Sequence, residues 1–584
     1  MPRPAATTVD QAPSLESVDL DSLDATLATL AEHRQRWARL PIWDKINYLG
    51  EIRSLVVRHA EEWARVGAAF KGFDADHPSV GGEEWLGGPY PTVAWISDAM
   101  TTLEALRTGR DPLAGLPLTT RPDGQLVLRV MPGSIYDRLL LSGYELDVWM
   151  EPGVTAASMR AGTGSFYAQA DPPGRVCAVL GAGNVSSIPV LDVLTSMFTA
   201  GDVVALKLNP ISEAYGSVIE AIFAPLIRDG YLRVLRGGGE LGARLVHHET
   251  VEAVHITGSE RTFDAIVWGT GEEAAARRAR REPLLSKPIT SELGGVGPTI
   301  IVPGAWSRAD LEYQAEHIAT QKLHSSGHTC VASQVLVLPA SWPQRAEFVA
   351  AVRRALARAP HRRPFYPGAD RRLEAFLAEH PQAELLDGHQ QVAILEDVDP
   401  TSDHPAFREE FFGPQYVTTT LPGDDVETYL AAAVSFANTR LAGNLGANLL
   451  VDPSTARAHE AALDRAVAEL RYGCIGVNAW AGVVFLSSRG AWGAYAGNTL
   501  DDIRSGAGVV HNSLMLDHPQ KNVIWAPFRP FPRSARHGGL TIAVKPPWFV
   551  GNETSVSTAR QFTLFAADPH PRRLPRLFAS ALRG

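Results

Sequence analysis

Residues 176–209 read VCAVLGAGNVSSIPVLDVLTSMFTAGDVVALKLN, and the succession of textures within that stretch decides the fold. VCAVLG is a short apolar run that stops at small and polar residues. VLDVLTSMFTA then carries helical spacing, and VVALKLN is apolar again. A continuous apolar run of roughly four to eight residues predicts a strand buried on both faces. A helix between two such strands predicts a parallel crossover. The same alternation continues outward. SVIEAIFAPLIRDG (217–230) reads as a helix, YLRVLRG (231–237) as a third strand, VEAVHITG (251–258) as a fourth and ERTFDAIVWG (260–269) as a further helix. This is α/β text: a parallel sheet with helices on its faces, which places ligands at the carboxyl ends of its strands. A nucleotide-binding domain is expected.

The flanks are organised differently. Residues 1 to about 20 hold Pro, Ser and Asp without periodicity and read as a loose tail. From Leu20 to about Phe70 the text is helical with a break at Pro41, and Ile46, Leu49, Ile52, Leu55, Val56 and Trp63 form one apolar stripe. Residues 71–125 are rich in Gly, Pro and Asp, with one helix expected around Trp95–Leu106. TGEEAAARRARREPLL (270–285) is a charged insertion and reads as a solvated helix. A second α/β region runs from about Lys287 to Val510. The Pro- and aromatic-rich end (IWAPFRPFPR, VKPPWFVG) reads as an arm lying on another surface. The expected division is therefore 1–285 for opening helices and cofactor domain, 286–510 for a catalytic domain, and 511–584 for an arm.

Composition narrows the function classes. With 584 residues the chain exceeds one ordinary hydrophobic core. A net charge of −10 without a basic block removes the electrostatic footprint of a nucleic-acid binder. The start lacks a secretory pattern and no apolar run reaches transmembrane length, so neither export nor a membrane segment is expected. Cys177, Cys330 and Cys474 are too few and too scattered for a disulfide framework or a thiolate metal site, which points to a reducing, cytoplasmic setting.

Five segments stand in a fixed order: GAGNVSS with VVALKLNP, then ITGS, SELGG, GHTC and EEFFGP. Each alone is weak. Jointly they resemble the aldehyde dehydrogenase superfamily across most of the chain, and the helical text at 31–70 resembles that family's opening helices. The resemblance implies that Cys330 is the nucleophile, because a thiolate adds to an aldehyde carbonyl and leaves later as a thioester. Asn184 matches the oxyanion-holding Asn, acting with the Cys330 N–H, and Glu292 matches the general base. Cys177 and Cys474, in apolar text, are expected to be core.

For the cofactor, NAD or NADP, the resemblance implies Lys207 at the adenosine ribose and Gly258 and Ser259 at the pyrophosphate. Leu293 and Gly294 follow the base, and Glu410 and Phe412 match the pair that positions the nicotinamide. Pro210 stands where many NAD-preferring members carry a ribose-binding Glu, so NADP use is expected to be open. Gly181-Ala182-Gly183 is no dinucleotide fingerprint, since the sixth position is Ser186. His324 and His328 have metal-pair spacing but no third ligand completes them, and no metal is expected. Trp480, Phe485 and Trp492 are candidates for the substrate mouth, with core packing equally open.

The implied reaction is oxidation of a small-molecule aldehyde to a carboxylic acid through a thiohemiacetal and thioester on Cys330. The family also implies a homodimer or homotetramer. The segment 147–171 (DVWMEPGVTAASMRAGTGSFYAQAD) would serve as the oligomerisation hairpin, together with the C-terminal arm. The nearest alternative is a CoA-acylating aldehyde dehydrogenase or acyl-CoA reductase of the same superfamily: AGNV and the Asn-Pro after Lys207 point that way, and Glu292 points to water. A silent fold relative is disfavoured by the joint presence of Asn184, Glu292, Cys330 and Glu410. A plain Rossmann reductase leaves Cys330 unexplained.

Overall fold

The structure, a computed structural model, describes residues 20–386, 388 and 391–584, so the expected loose tail lies outside the described residues. Two sheets organise the chain. The first has six strands in the order Gly506–Ala507, Ile289–Leu293, Ala253–Gly258, Val176–Leu180, Val203–Lys207 and Leu232–Leu235. All of its pairings are parallel except that of the short Gly506–Ala507 strand. Val176–Ala178 and all of Val203–Lys207 are buried, as continuous apolar text between two helical layers requires. Ile289–Leu293 belongs to this sheet, so the cofactor unit reaches beyond residue 285 and closes with a strand from near residue 506.

The second sheet has eleven strands. Its centre is parallel: Cys474–Val477, Gly446–Leu450, Gly297–Ile301, Ser333–Pro339 and Gln415–Leu421. One flank continues through Pro519–Trp525 into the antiparallel strands Glu145–Met150, Leu126–Met131 and Leu118–Thr120. Two expectations change here. Segment 147–171 is no hairpin: Asp147–Met150 ends a strand hydrogen-bonded on both sides within this chain, and Ala156–Gly162 is a helix. Nor is 511–584 a free arm. Pro519–Trp525 lies inside the sheet, and the helix Ser555–Ala567 packs against Gly82–Leu86 and Pro89–Arg107 of the same chain.

The opening helices are Leu20–Ala38 and Ile42–Lys71, separated near Pro41. Proline fits the first turn of a helix but not the interior of one, which is why the break falls there. Ile46, Leu49, Ile52, Val56 and Trp63 are buried as the stripe requires, and Gly72, at φ 76°, ends the second helix in the left-handed conformation that glycine adopts without strain. The 270–285 insertion contains the helix Gly271–Arg280, with no buried residue. Among the described residues, no helix is long and apolar enough to cross a membrane.

Candidate active site

Cys330 stands at the end of an unusual reversal. Ser325, Ser326 and Gly327 all have positive φ (50°, 59° and 78°), turning the chain sharply between the helix Arg308–Leu323 and the strand Ser333–Pro339. Two consecutive non-glycine residues in that region are costly unless the surroundings over-determine them. They are over-determined here. The Ser325 N–H donates to Glu83 at 2.8 Å, Lys71 donates to the Ser325 hydroxyl at 3.2 Å, and the Ser326 hydroxyl donates to the Arg363 carbonyl at 2.8 Å. Glu83 pairs with Arg362 at 2.7 Å and Lys71 with Glu84 at 2.7 Å, all four side chains buried. This ionic cluster under the Cys330 loop was not found from the sequence: Glu83 and Arg362 are 279 positions apart. Truncating one member of a buried pair costs roughly 3–5 kcal/mol. Glu83→Ala is therefore expected to lower stability by about that much, read as a shift of the urea midpoint at unchanged slope.

Three expected catalytic residues come together. The Asn184 side-chain amide donates to the His328 carbonyl at 3.0 Å, which ties the turn after Val176–Leu180 to the Cys330 loop. Trp63 supports that turn, donating to the Ser186 hydroxyl at 2.8 Å. Glu292, 3 % exposed, lies beside the Cys330 thiol and Trp492, with one carboxylate oxygen left without a hydrogen-bond partner. Burial pushes its carboxyl up to about 7, and the thiol and Trp492 offset only part of this. The thiol is raised well above its ordinary value, first by burial and then by the Glu292 charge. Thiol and carboxyl thus compete for a proton at the wall of the cleft. Cys177 and Cys474 are fully enclosed in strands, as expected of core cysteines.

Behind Glu292 is a second polar group. Thr257 is in register opposite Glu292 and donates to Asp192 at 3.0 Å. The other Asp192 oxygen lies 3.5 Å from His255 and 3.7 Å from His511. Asp192, wholly buried, is nonetheless held down to about 2, the two imidazoles outweighing desolvation.

A cleft of about 1260 Å³ runs from Cys330, Glu292 and Asn184 along the carboxyl ends of the parallel strands to Lys207, Gly258 and Ser259. Gly294, Glu410 and Phe412 line its inner half. Leu293 is buried in its strand and does not face the cleft. Gly294 has a steric reason: a β-carbon there would sit 2.1 Å from a Glu410 carboxylate oxygen. Glu410 is pushed up to about 8 by burial and then by Glu292, against Lys322, the Gly295 N–H and Arg372. Phe412, at φ 44°, turns its carbonyl to accept from His328 at 2.8 Å and Arg372 at 3.2 Å. His324 packs on Trp480 instead.

At the far end Ser259 caps the helix Glu260–Val267, accepting from the Thr262 N–H at 3.2 Å. Burial lowers Lys207, while Glu213 opposes this. Pro210 opens a short 3-10 helix, Pro210–Tyr215, that carries Glu213 into range of Lys207. Tyr366 and Arg372, on the segment crossing the cleft, also face it and had no motif to announce them.

The aldehyde dehydrogenase family model matches residues 152–371. N-succinylglutamate 5-semialdehyde dehydrogenase 1 of Caulobacter vibrioides is 28% identical over 171 residues, covering 29% of this chain and 32% of that protein. 4-Trimethylaminobutyraldehyde dehydrogenase A of Danio rerio is 29% identical over 152 residues, covering 26% of this chain and 27% of that one. The chain thus spans about a third of the length of the curated relatives it matches. Lactaldehyde dehydrogenase from Escherichia coli has TM-score 0.58 at 15% identity, covering 86% of this chain and 90% of its own. A Mycobacterium tuberculosis aldehyde dehydrogenase complexed with NAD+ has TM-score 0.56 at 18% identity, covering 88% and 91%. These likenesses are of fold.

Proposed function

We propose that this chain is a member of the aldehyde dehydrogenase superfamily, whose family model matches residues 152–371, and that it oxidises an aldehyde to the carboxylic acid with NAD or NADP. The carrying observation is the contact of the Cys330 thiol with the Glu292 carboxyl at one end of a cleft long enough for a dinucleotide. The residues present fit that cofactor. Lys207 offers a buried amine at the outer end, Ser259 a helix start for a pyrophosphate, and the bare Gly294 backbone lets Glu410 reach the inner end. When bound, the dinucleotide supplies the hydride acceptor.

The chain's own residues do the rest. Glu292 takes the thiol proton and the Cys330 sulfur adds to the aldehyde carbonyl. One Asn184 amide hydrogen is engaged with His328, which orients the group; the other, with the Cys330 N–H, meets the alkoxide. Loss of hydride leaves a thioester on Cys330. Glu292, after releasing the thiol proton to solvent, draws a proton from water, which attacks the thioester and releases the acid, the sulfur leaving as the thiolate. A screen of aldehydes with NAD and with NADP, with and without CoA, tests this reading, which fails if no aldehyde reduces either cofactor.

Cofactor choice gives a further expected result. Pro210 presents no carboxylate to a 2′-phosphate, so NADP should bind within about tenfold of NAD, about 1.4 kcal/mol. Titration by quenching of protein fluorescence measures both. A preference for NAD above roughly a hundredfold would assign the discrimination to Glu213, which has one shielded oxygen without a hydrogen-bond partner. The proposal keeps a cytoplasmic setting and a homodimer or homotetramer. Assembly would use surfaces other than the strand Glu145–Met150, whose two edges are taken within the chain; light scattering should give a multiple of 63.0 kDa.

A further inference from the structure

Glu292 is buried, and the cleft it lines is the space that a dinucleotide would fill. A proton on its carboxyl then needs another way out, and the sheet supplies one. In the strands Ala253–Gly258 and Ile289–Leu293, His255 is in register with Thr290 and Thr257 with Glu292. Alternate residues of a strand share a face, and so do directly opposed residues of a parallel pair. These four side chains therefore form one polar patch, on strands about 4.8 Å apart. The Thr257 hydroxyl lies 3.3 Å from Nε2 of His255, and Nδ1 of the same ring lies 2.9 Å from the Thr290 hydroxyl. Thr257 and His255 are buried, whereas Thr290 is exposed. Thr257 lines the cleft as Glu292 does; His255 and Thr290 do not. The file leads from the base, across the face of the sheet, to solvent outside the cleft.

The surroundings suit an imidazole that is charged in passing. Asp192, on the helix Ile188–Phe198, covers the patch: it accepts from Thr257 at 3.0 Å, and its other oxygen lies 3.5 Å from Nε2 of His255. Asp192 is wholly buried yet held down to about 2, and that second oxygen makes no hydrogen bond. His511 approaches the same oxygen at 3.7 Å, on a backbone at φ 58° that a non-glycine residue keeps only where its surroundings hold it. The ionisable groups facing His255 are thus Asp192, His511 and Glu292, each from a different element. Among the described residues no arginine or lysine pairs with Asp192, so its charge is free to stabilise an imidazolium.

We propose that His255 carries protons between Glu292 and solvent, through the hydroxyls of Thr257 and Thr290. The inference rests on the oxidation proposed above and adds three positioning residues that act through the base. Glu292 gives its proton to the Thr257 oxygen as that hydroxyl passes its own to Nε2 of His255. The Nδ1 proton then goes to the Thr290 oxygen, and the Thr290 hydroxyl proton to water. Glu292 ends as the carboxylate, the ring ends neutral, and no electrons are transferred. The base is thereby freed for the thioester while the cleft is still occupied.

Deacylation with and without cofactor tests the route. 4-Nitrophenyl acetate acetylates a reactive thiol without hydride transfer, so it isolates that step. The measured quantity is the rate of acetate release from Cys330 with saturating NAD or NADP, divided by the rate without either. In His255→Gln and in Thr290→Val this ratio should fall about tenfold or more below that of wild type, and Thr290→Ser should recover most of the loss. Thr290 is exposed, so its Val and Ser variants decide the matter if His255→Gln does not fold. A structural role would slow the variants alike in both conditions, and a ratio unchanged from wild type overturns the inference. If no aldehyde reduces either cofactor while the ester result holds, the reading of function fails and the proton route stands. Absence of acetylation on the Cys330 peptide, or of cofactor binding, overturns both.

Discussion

Cys330→Ala is expected to lower aldehyde-dependent reduction of the cofactor by on the order of 10⁴-fold or more, about 5 kcal/mol of barrier. The thiol is the group beside Glu292 that can bond to the carbonyl carbon and leave again as a thioester's leaving group at neutral pH. In the proposed scheme Asn184 and the Cys330 N–H would stabilise an oxyanion that forms only after sulfur has added. Removing the nucleophile therefore removes the step they assist, and the surviving groups cannot compensate. Cofactor binding should hold to within about twofold, since Lys207, Ser259 and Glu410 are untouched. Cys177→Ala and Cys474→Ala are the controls. Both side chains are enclosed in strands, so they should cost some stability and little turnover. Steady-state rates with a saturating aldehyde, beside a cofactor titration, check the set. Retention of roughly a tenth of the activity by Cys330→Ala would end the assignment of that residue.

What could be read from the sequence follows a physical division between local and distant pairing. The strand Val203–Lys207 was legible because burial on both faces writes itself as an unbroken apolar run. The break at Pro41 was legible because proline acts within one turn. The strand Glu145–Met150 is apolar at Leu146, Val148 and Met150, but Asp147 and Trp149 between them are buried as well. What sequence does not encode locally is which edge it joins. Val148 pairs with Asn522, far along the chain, and nothing nearby separates a strand completing its own sheet from one offered to a second copy. Asp147, which resembles a surface residue in the text, is buried with Arg129 at 2.7 Å. The site divides the same way. Cys330, Glu292 and Glu410 sit in short motifs, whereas Glu83 and Arg362, which support the Cys330 loop, meet only through tertiary structure.

Glu292→Gln separates the two half-reactions, and the expected result is a burst followed by a stall. The amide keeps the shape of the carboxyl and removes the base. Sulfur addition can still proceed through the fraction of Cys330 ionised at alkaline pH, so about one reduced cofactor per site should appear quickly. Water is a poor nucleophile for a thioester, and loss of a positioned base costs typically 10²–10⁴-fold. The acyl group should then be found on the peptide containing Cys330 by mass spectrometry. The wild-type pH profile carries the same information. Glu292 must be ionised to act, and its carboxyl lies at about 7, so deacylation should rise with pH up to about 7 and level off above it; the variant should lack that limb. Stability runs the opposite way. A carboxyl raised by folding contributes fully below its unfolded value of about 4.3, and that contribution is lost as pH rises through about 7. At pH 8 the Gln variant should melt above wild type, by up to about 3 kcal/mol, and the two should converge in acid. CoA decides the acyl acceptor. A CoA thiol is far more acidic than water and needs the base much less. If CoA restores turnover to Glu292→Gln, and wild type yields acyl-CoA in place of the acid, the hydrolytic scheme gives way to the acylating one.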